Sequence, residues 1–306
     1  MLRFKEHITE DYRNFITETL QLINEKLIVF RGRRSKYGRI VFLAGGGASG
    51  KGFARTNLLD ISQGTDKIRD VDDMKTAFLK LDQITHAYPE LRGLDMRNPD
   101  DTFKLHQFIK SKGIKEKTLN LLLGDLNGRN LPNIVFDVTL KDRSDIDSVI
   151  PKLLAVGYNP LDIHLVWILT KFEFAVKNNL DPTRGRIVPE EVLLDTHEGA
   201  ARTMYDILQG QLPAGLNGEI WVINNNPQNL VKNLDSSGRP IGNAKTMGPF
   251  RTLGINAKKD SFWVKSFFYI KVKDAGSGID SGAAMGAKML RWLKNNAPAS
   301  AGLDLN

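Results

Sequence analysis

The 306-residue chain contains no cysteine. That absence excludes a disulfide framework, a thiolate zinc site and a cysteine nucleophile, and it suits an intracellular, cytoplasmic setting. No run reaches the roughly 20 apolar residues that a membrane helix needs, so no membrane partner is expected. The opening MLRFKEHITEDYRNFITETLQLINEKL carries Glu6, Glu10 and Asp11 instead of an unbroken apolar stretch. It therefore reads as neither a signal peptide nor a transit peptide. Internal repeats and low-complexity tracts are missing too. His86, His106 and His197 lack any spacing that would assemble a metal site, and they read as structural or surface residues. Acidic residues are in deficit, 35 against 43 Lys and Arg, for a net charge of +8. That excess favours polyanionic partners such as nucleic acid, nucleotides or phosphorylated substrates.

What is present suits a globular protein with one large domain or two modest ones, because 41% apolar residues can bury a sizeable core. Phe4, Ile8, Phe15, Ile16, Leu20, Ile23 and Leu27 recur at helical intervals. A basic loop, RGRRSKYGR, follows at 31–39, so residues 1–38 read as a helix and linker. Apolar runs at 39–44, 66–71, 133–138, 162–169 and 218–223 alternate with helical patterns. This predicts an α/β fold: a mainly parallel five-stranded sheet of the P-loop kinase type, with helices on both faces. The core spans 39–225, with a helical insertion at about 76–131 and a lid at about 170–190 containing Pro182 and Gly185. Residues 226–306 read as a C-terminal extension: Asn- and Gly-rich loops, one long strand at 261–273 and a closing helix at 282–295. Its aromatics, Phe262, Trp263, Phe267, Phe268 and Tyr269, read as core and sheet surface. A base-stacking role stays open because Lys265, Lys271 and Lys273 lie beside them.

The first strand runs directly into glycines: RIVFLAGGGASGKGFART, residues 39–56. Gly45-x4-Gly50-Lys51 has the spacing of a phosphate loop. Its backbone amides turn on a polyphosphate and its lysine reaches the terminal phosphates. A helix start after the loop favours the same anion. The nucleotide-binding set is then Gly45, Gly46, Gly47, Ala48, Ser49, Gly50, Lys51, Gly52 and Phe53. Gly52 is the departure, standing where a Ser or Thr usually holds magnesium. The ion would be held by water, phosphates and the carboxylates Asp72 and Asp137. This disfavours switch GTPases and motor ATPases, and favours small-molecule kinases. The second strand ends in DVDDMK, where Asp70 and Asp72 stand at the carboxyl edge that carries chemistry in such sheets. The third ends in FDVTLKD, where Asp137 can serve magnesium or a substrate hydroxyl and Thr139 can donate to substrate.

These residues resemble the zeta-toxin group of P-loop kinases over roughly 38–210, and phage-encoded members in particular. Asp70-x-Asp72-x-Met74-Lys75 is similar to that family's Asp-x-Asp-x-Phe-Arg element. The resemblance implies that Asp72 is the catalytic base and that Lys75 replaces a substrate-binding arginine. FDVTLKD resembles Glu-Gly-Thr-Leu-Arg, with Asp137 for Glu and Val138 for Gly. TRGRIVPEEVLLDTHEGA, 183–200, resembles a Gly-Arg-x-x-Pro segment; Arg186 then clamps phosphate, with Arg184 its neighbour. Lys177 in FAVKNN lies where the family has its other lid cation. Asp82, before HAYP, is a second-ranked base because it lacks the Asp-x-Asp pair. The expected activity is transfer of the γ-phosphate of ATP, or another nucleoside triphosphate, to a hydroxyl with Mg2+. The family implies a uridine-diphosphate amino sugar as acceptor. The +8 charge, the basic aromatic C-terminal region and the phage likeness pull towards a nucleotide or polynucleotide, with hydroxymethylated pyrimidine in DNA the most specific version. The rival class is a nucleotide-binding regulator without turnover.

Overall fold

The structure, a computed structural model, describes residues 28–30, 37–61, 66–85, 88–124, 126, 131–182, 184–231, 251–255 and 262–305. It does not describe the side chains of residues 57, 82–85, 227–231, 251–255 and 262–267. The N-terminal helix, most of the basic loop and His86 lie outside the described residues. So do the loop at 232–250 and the side chains of Asp82, Phe262, Trp263, Lys265 and Phe267.

Strand β1 (Ile40–Ala44) leads into helix α1 (Lys51–Asn57), strand β2 (Asp66–Asp70) and helix α2 (Val71–Thr85). Helices α3 (Pro99–Ser111) and α4 (Ile114–Gly124) precede β3 (Asn133–Val138), which is followed by short α5 (Ser144–Asp147) and α6 (Ile150–Ala155). Next come β4 (Ile163–Leu169), α7 (Phe172–Asn179), the long α8 (Glu190–Leu208) and β5 (Ile220–Val231). The chain ends with β6 (Arg251–Ile255), β7 (Phe262–Lys273), α9 (Ser281–Ala284) and α10 (Ala287–Asn296).

The sheet holds seven strands, in the order β2-β3-β1-β4-β5-β7-β6, and not the five expected. The first five run parallel, while β7 and β6 are antiparallel additions beside β5. The difference has a physical cause. Strand β5 continues past its apolar stretch through Asn224, Asn225 and Asn226, pairing them with Phe268, Phe267 and Ser266 of β7. Ladder hydrogen bonds are made by the backbone, so a polar run stays extended once a partner strand satisfies its amides.

All five residues of β1 are buried, as the centre of a sheet covered on both sides requires. Alternate side chains enter opposite cores. Ile40, Phe42 and Ala44 join Phe136, Trp167, Met204, Ile207 and Leu293 on one face, drawing α8 and α10 onto the sheet. Val41 and Leu43 join Val135, Val166, Ala54 and Leu58 on the other, which carries α1. The helices between β2 and β3 keep a small core of their own around Leu91, Leu105 and Phe108. Phe108 and Tyr88 meet edge to face at 5.3 Å. Since β1 lies between β3 and β4, chain connections leave it on both sides, and a crevice opens at the carboxyl ends of the strands.

Candidate active site

At that crevice the glycine loop joins β1 to α1. Gly45, Ala48 and Gly50 have φ of 149°, 56° and 93°. The left-handed conformation costs an alanine about 1–2 kcal/mol, so the loop is held there by its surroundings. The two left-handed residues flanking Ser49 turn successive amides towards a common point, as anion-binding loops do. Side chains from α7, α8 and β5, and from Thr170 just after β4, hold the loop from behind. His197 on α8 bonds the Gly47 carbonyl through Nε2 at 2.8 Å, and Asn178 on α7 donates to the Ala48 carbonyl at 3.1 Å. The Ser49 carbonyl accepts from Thr170 at 2.7 Å and from Asn225 on β5 at 2.6 Å. Burial pushes His197 down to about 4, so it is a neutral donor at physiological pH. Helix α8 also explains two of the glycines. A Cβ at Gly46 would lie 2.2 Å from the His197 ring, and one at Gly47 would lie 2.6 Å from Leu193. Nothing lies within 4 Å of a Cβ built at Gly52, so packing does not require glycine there.

Residues 48–52 line a cavity of about 430 Å³ together with Arg55, Asp70, Asp72, Asp137, Asn178 and the segment 184–186. Lys51 donates from Nζ to the carbonyls of Gly45 at 2.6 Å and Gly46 at 3.3 Å, and pairs with Asp137 at 3.6 Å. Burial holds its amine below the usual lysine range, against the pull of Asp137. Burial likewise pushes Asp137 up to about 6, with Lys51 opposing. This carboxyl therefore passes from mostly neutral to mostly ionised between pH 5 and 7, as a general base or ligand near neutrality requires. Asp70 and Asp137 end the adjacent strands β2 and β3 in register. Asp70 accepts from the Asp72 amide at 2.8 Å, capping the first turn of α2. Asp72 is ion-paired with Arg186, and with Lys75 at 3.1 Å. Arg184 leaves Nη1 buried without a hydrogen-bond partner, and burial lowers its pKa.

The structure thus brings Lys51, Asp70, Asp72, Asp137, Arg184 and Arg186 to one cavity. Other expected residues are engaged by partners of their own. Phe53 packs in the core beneath α1, and Lys177 lies over the Phe174 ring at 5.7 Å. Thr139 reaches Asp145 at 3.5 Å, and Lys75 serves Asp72. In the C-terminal region Phe268 packs on the core and Tyr269 meets Trp221 at 5.7 Å. Lys271 covers Trp221, while buried Lys273 donates to the carbonyls of Asn217, Gly218 and Asp274. Neither lysine is left to track a nucleic-acid backbone. Arg55 was not singled out by the sequence, although its place four residues after Lys51 on one helix put both on one face. His197, Asn178, Thr170 and Asn225 carried no local signal, because their partner lies about 120–180 residues away in the chain.

No known family matches the chain, and no curated protein matches it. Among the solved structures similar to this chain are three. One is from the PezAT chromosomal toxin-antitoxin system of Streptococcus pneumoniae, 17% identical, covering 72% of this chain and 76% of that one, with a TM-score of 0.41. A second is AvrRxo1-ORF1:AvrRxo1-ORF2 with sulphate ions, at 13% identity, 98% and 82% coverage and a TM-score of 0.41. The third is AvrRxo1-ORF1:-ORF2 with ATP, at 15% identity, 72% and 62% coverage and a TM-score of 0.36.

Proposed function

We propose that the protein is a kinase that transfers the γ-phosphoryl group of ATP, or another nucleoside triphosphate, to a hydroxyl. The observation that carries this reading is the cavity itself. One wall is a left-handed glycine loop with Lys51, another presents Arg184 and Arg186, and the strand ends present Asp72 and Asp137. Phosphoryl transfer asks for little else: cations around the transferring group and a carboxylate to take the acceptor proton. In the step, the acceptor oxygen attacks the γ-phosphorus as the bond to the β–γ bridging oxygen breaks. The electron pair leaves with the nucleoside diphosphate, and the hydroxyl proton passes to Asp72. Arg186 now neutralises Asp72. An arriving phosphate gives this guanidinium a second anion, and Asp72 is released to face the acceptor. The segment at 170–190 then acts as a lid that excludes water.

Magnesium fits only as a partner of the nucleotide. Among the described residues no cluster of three metal-binding side chains exists, and Gly52 offers no hydroxyl. Asp137 and Asp72 on the cavity wall can hold waters of an ion that otherwise keeps phosphate oxygens and its own hydration. Such an ion would supply charge neutralisation on the β- and γ-phosphates.

For the acceptor we favour a hydroxyl of a nucleotide or polynucleotide, with a hydroxymethylated pyrimidine in DNA as its most specific form. The support is the net charge of +8; Lys271 and Lys273, engaged by Trp221, Asp274 and backbone carbonyls, are not part of the proposed acceptor contact. A label-transfer assay from γ-labelled ATP tests this with three acceptors side by side: hydroxymethyluracil-containing DNA, unmodified DNA with free 5′ ends, and uridine-diphosphate N-acetylglucosamine. Label on the modified DNA is expected. Label on the sugar nucleotide alone would overturn the acceptor, and label on unmodified ends would make the enzyme end-directed.

A further inference from the structure

We propose that Arg55 grips the transferring γ-phosphoryl group, filling room beside Gly52 with a guanidinium; this rests on the phosphotransfer reading above. Arg55 lies one turn beyond Lys51 on α1, so both side chains share a helix face, and both line the cavity. Its Nε and Nη1 are buried and have no hydrogen-bond partner. Buried guanidinium donors are costly unless a ligand or water completes them. The charge of Arg55 acts on Asp137 of β3 and on Asp73 in the first turn of α2, which places it near the acidic wall of the cavity. Gly52, three residues earlier, leaves open space, where a Cβ would touch nothing.

The other cations narrow what Arg55 can hold. Before nucleotide arrives Lys51 is held by Gly45, Gly46 and Asp137, and Arg186 by Asp72, so each must exchange a partner to meet phosphate, whereas the buried Arg55 nitrogens have none to give up. Arg184, from the lid segment, also has an unpartnered buried nitrogen. Two guanidinium groups on different elements thus offer unfilled donors to one space. A phosphoryl group entering between Asp72 and Asp137 meets carboxylates and needs positive charge between them. A planar fork of N–H donors matches its non-bridging oxygens. Arg55 makes no covalent bond and gives up no proton. Its donors only strengthen as charge spreads over the transferring oxygens.

The contact is to the γ-phosphate, so nucleotide affinity reads it directly without an acceptor. ATP and ADP, each with magnesium, are titrated by calorimetry into wild type, Arg55→Gln and Arg55→Lys, after thermal melting confirms folding. Arg55→Gln is expected to weaken ATP by about 10- to 100-fold and ADP by less than about twofold. Arg55→Lys, keeping charge without the fork, falls between wild type and Arg55→Gln for ATP alone. Equal weakening of both nucleotides, or of neither, overturns the assignment. Should Arg55→Gln not fold, the same comparison with Arg55→Lys decides: ATP-selective weakening supports the contact and its absence overturns it. Failure of wild type to bind ATP at all defeats the phosphotransfer reading instead.

Discussion

Lys51→Ala is expected to lower kcat/KM for label transfer by at least about 10³-fold. The reason is geometric and electrostatic together. The Lys51 amine is fixed by two loop carbonyls and by Asp137, in a site where burial makes each charge count for more than it would in water. Removing it deletes the cation nearest the loop. It also leaves Asp137 without the charge that opposes burial, so that carboxyl moves further above about 6 and stays neutral to higher pH. The variant should therefore lose most of its residual rate near and below neutrality. The fold should survive, because β1 and α1 are held by Val41, Leu43, Ala54 and Leu58 and not by the lysine. A melting curve close to wild type alongside the lost transfer checks both halves. Undiminished transfer by Lys51→Ala would remove the catalytic reading.

Asp72→Asn separates chemistry from binding. Loss of a general base costs about 10²- to 10⁴-fold in kcat. ATP affinity should nevertheless rise severalfold, because Asp72 competes with the nucleotide for Arg186. An asparagine is neutral and holds that guanidinium far less strongly, leaving it available to phosphate. Parallel measurements of kcat under saturating ATP and of ATP dissociation check the pair of effects. A fall in affinity together with kcat would mean that Asp72 holds the nucleotide and its ion more than it withholds Arg186 from them. An unchanged kcat would mean that the base lies elsewhere.

The buried parallel strands were the most legible part of the molecule. Runs such as NIVFDV and DIHLVWIL are apolar on both faces because helices cover both faces, and the observed strands Asn133–Val138 and Ile163–Leu169 sit on them. The sequence could not reveal that β5 continues through three asparagines, since what holds them extended is the backbone of β7. Nor could it show that one of them, Asn225, is buried under the glycine loop. Asp137 was readable because it stands near the end of an apolar run, and parallel pairing sets Asp70, which closes the more polar strand DKIRD, beside it. Side-chain direction was not readable. Lys177 and Phe53 sit on helices next to the cavity yet face away from it, and Arg55 faces in, which only the helix rotation against the sheet decides. His197 looked like a stray histidine, and its role as the prop beneath Gly47 depends on how α8 packs against the loop.

Whether a triphosphate occupies this cavity is read by amide hydrogen exchange, without knowledge of the acceptor. Wild type is compared with and without a saturating non-hydrolysable ATP analogue and magnesium. Exchange should slow in two separate segments: the loop at 45–52, whose amides would bind phosphate, and 184–186, where the lid arginines would close on it. Unchanged exchange in both segments while the analogue is bound would contradict this occupancy, because the nucleotide would then lie somewhere else.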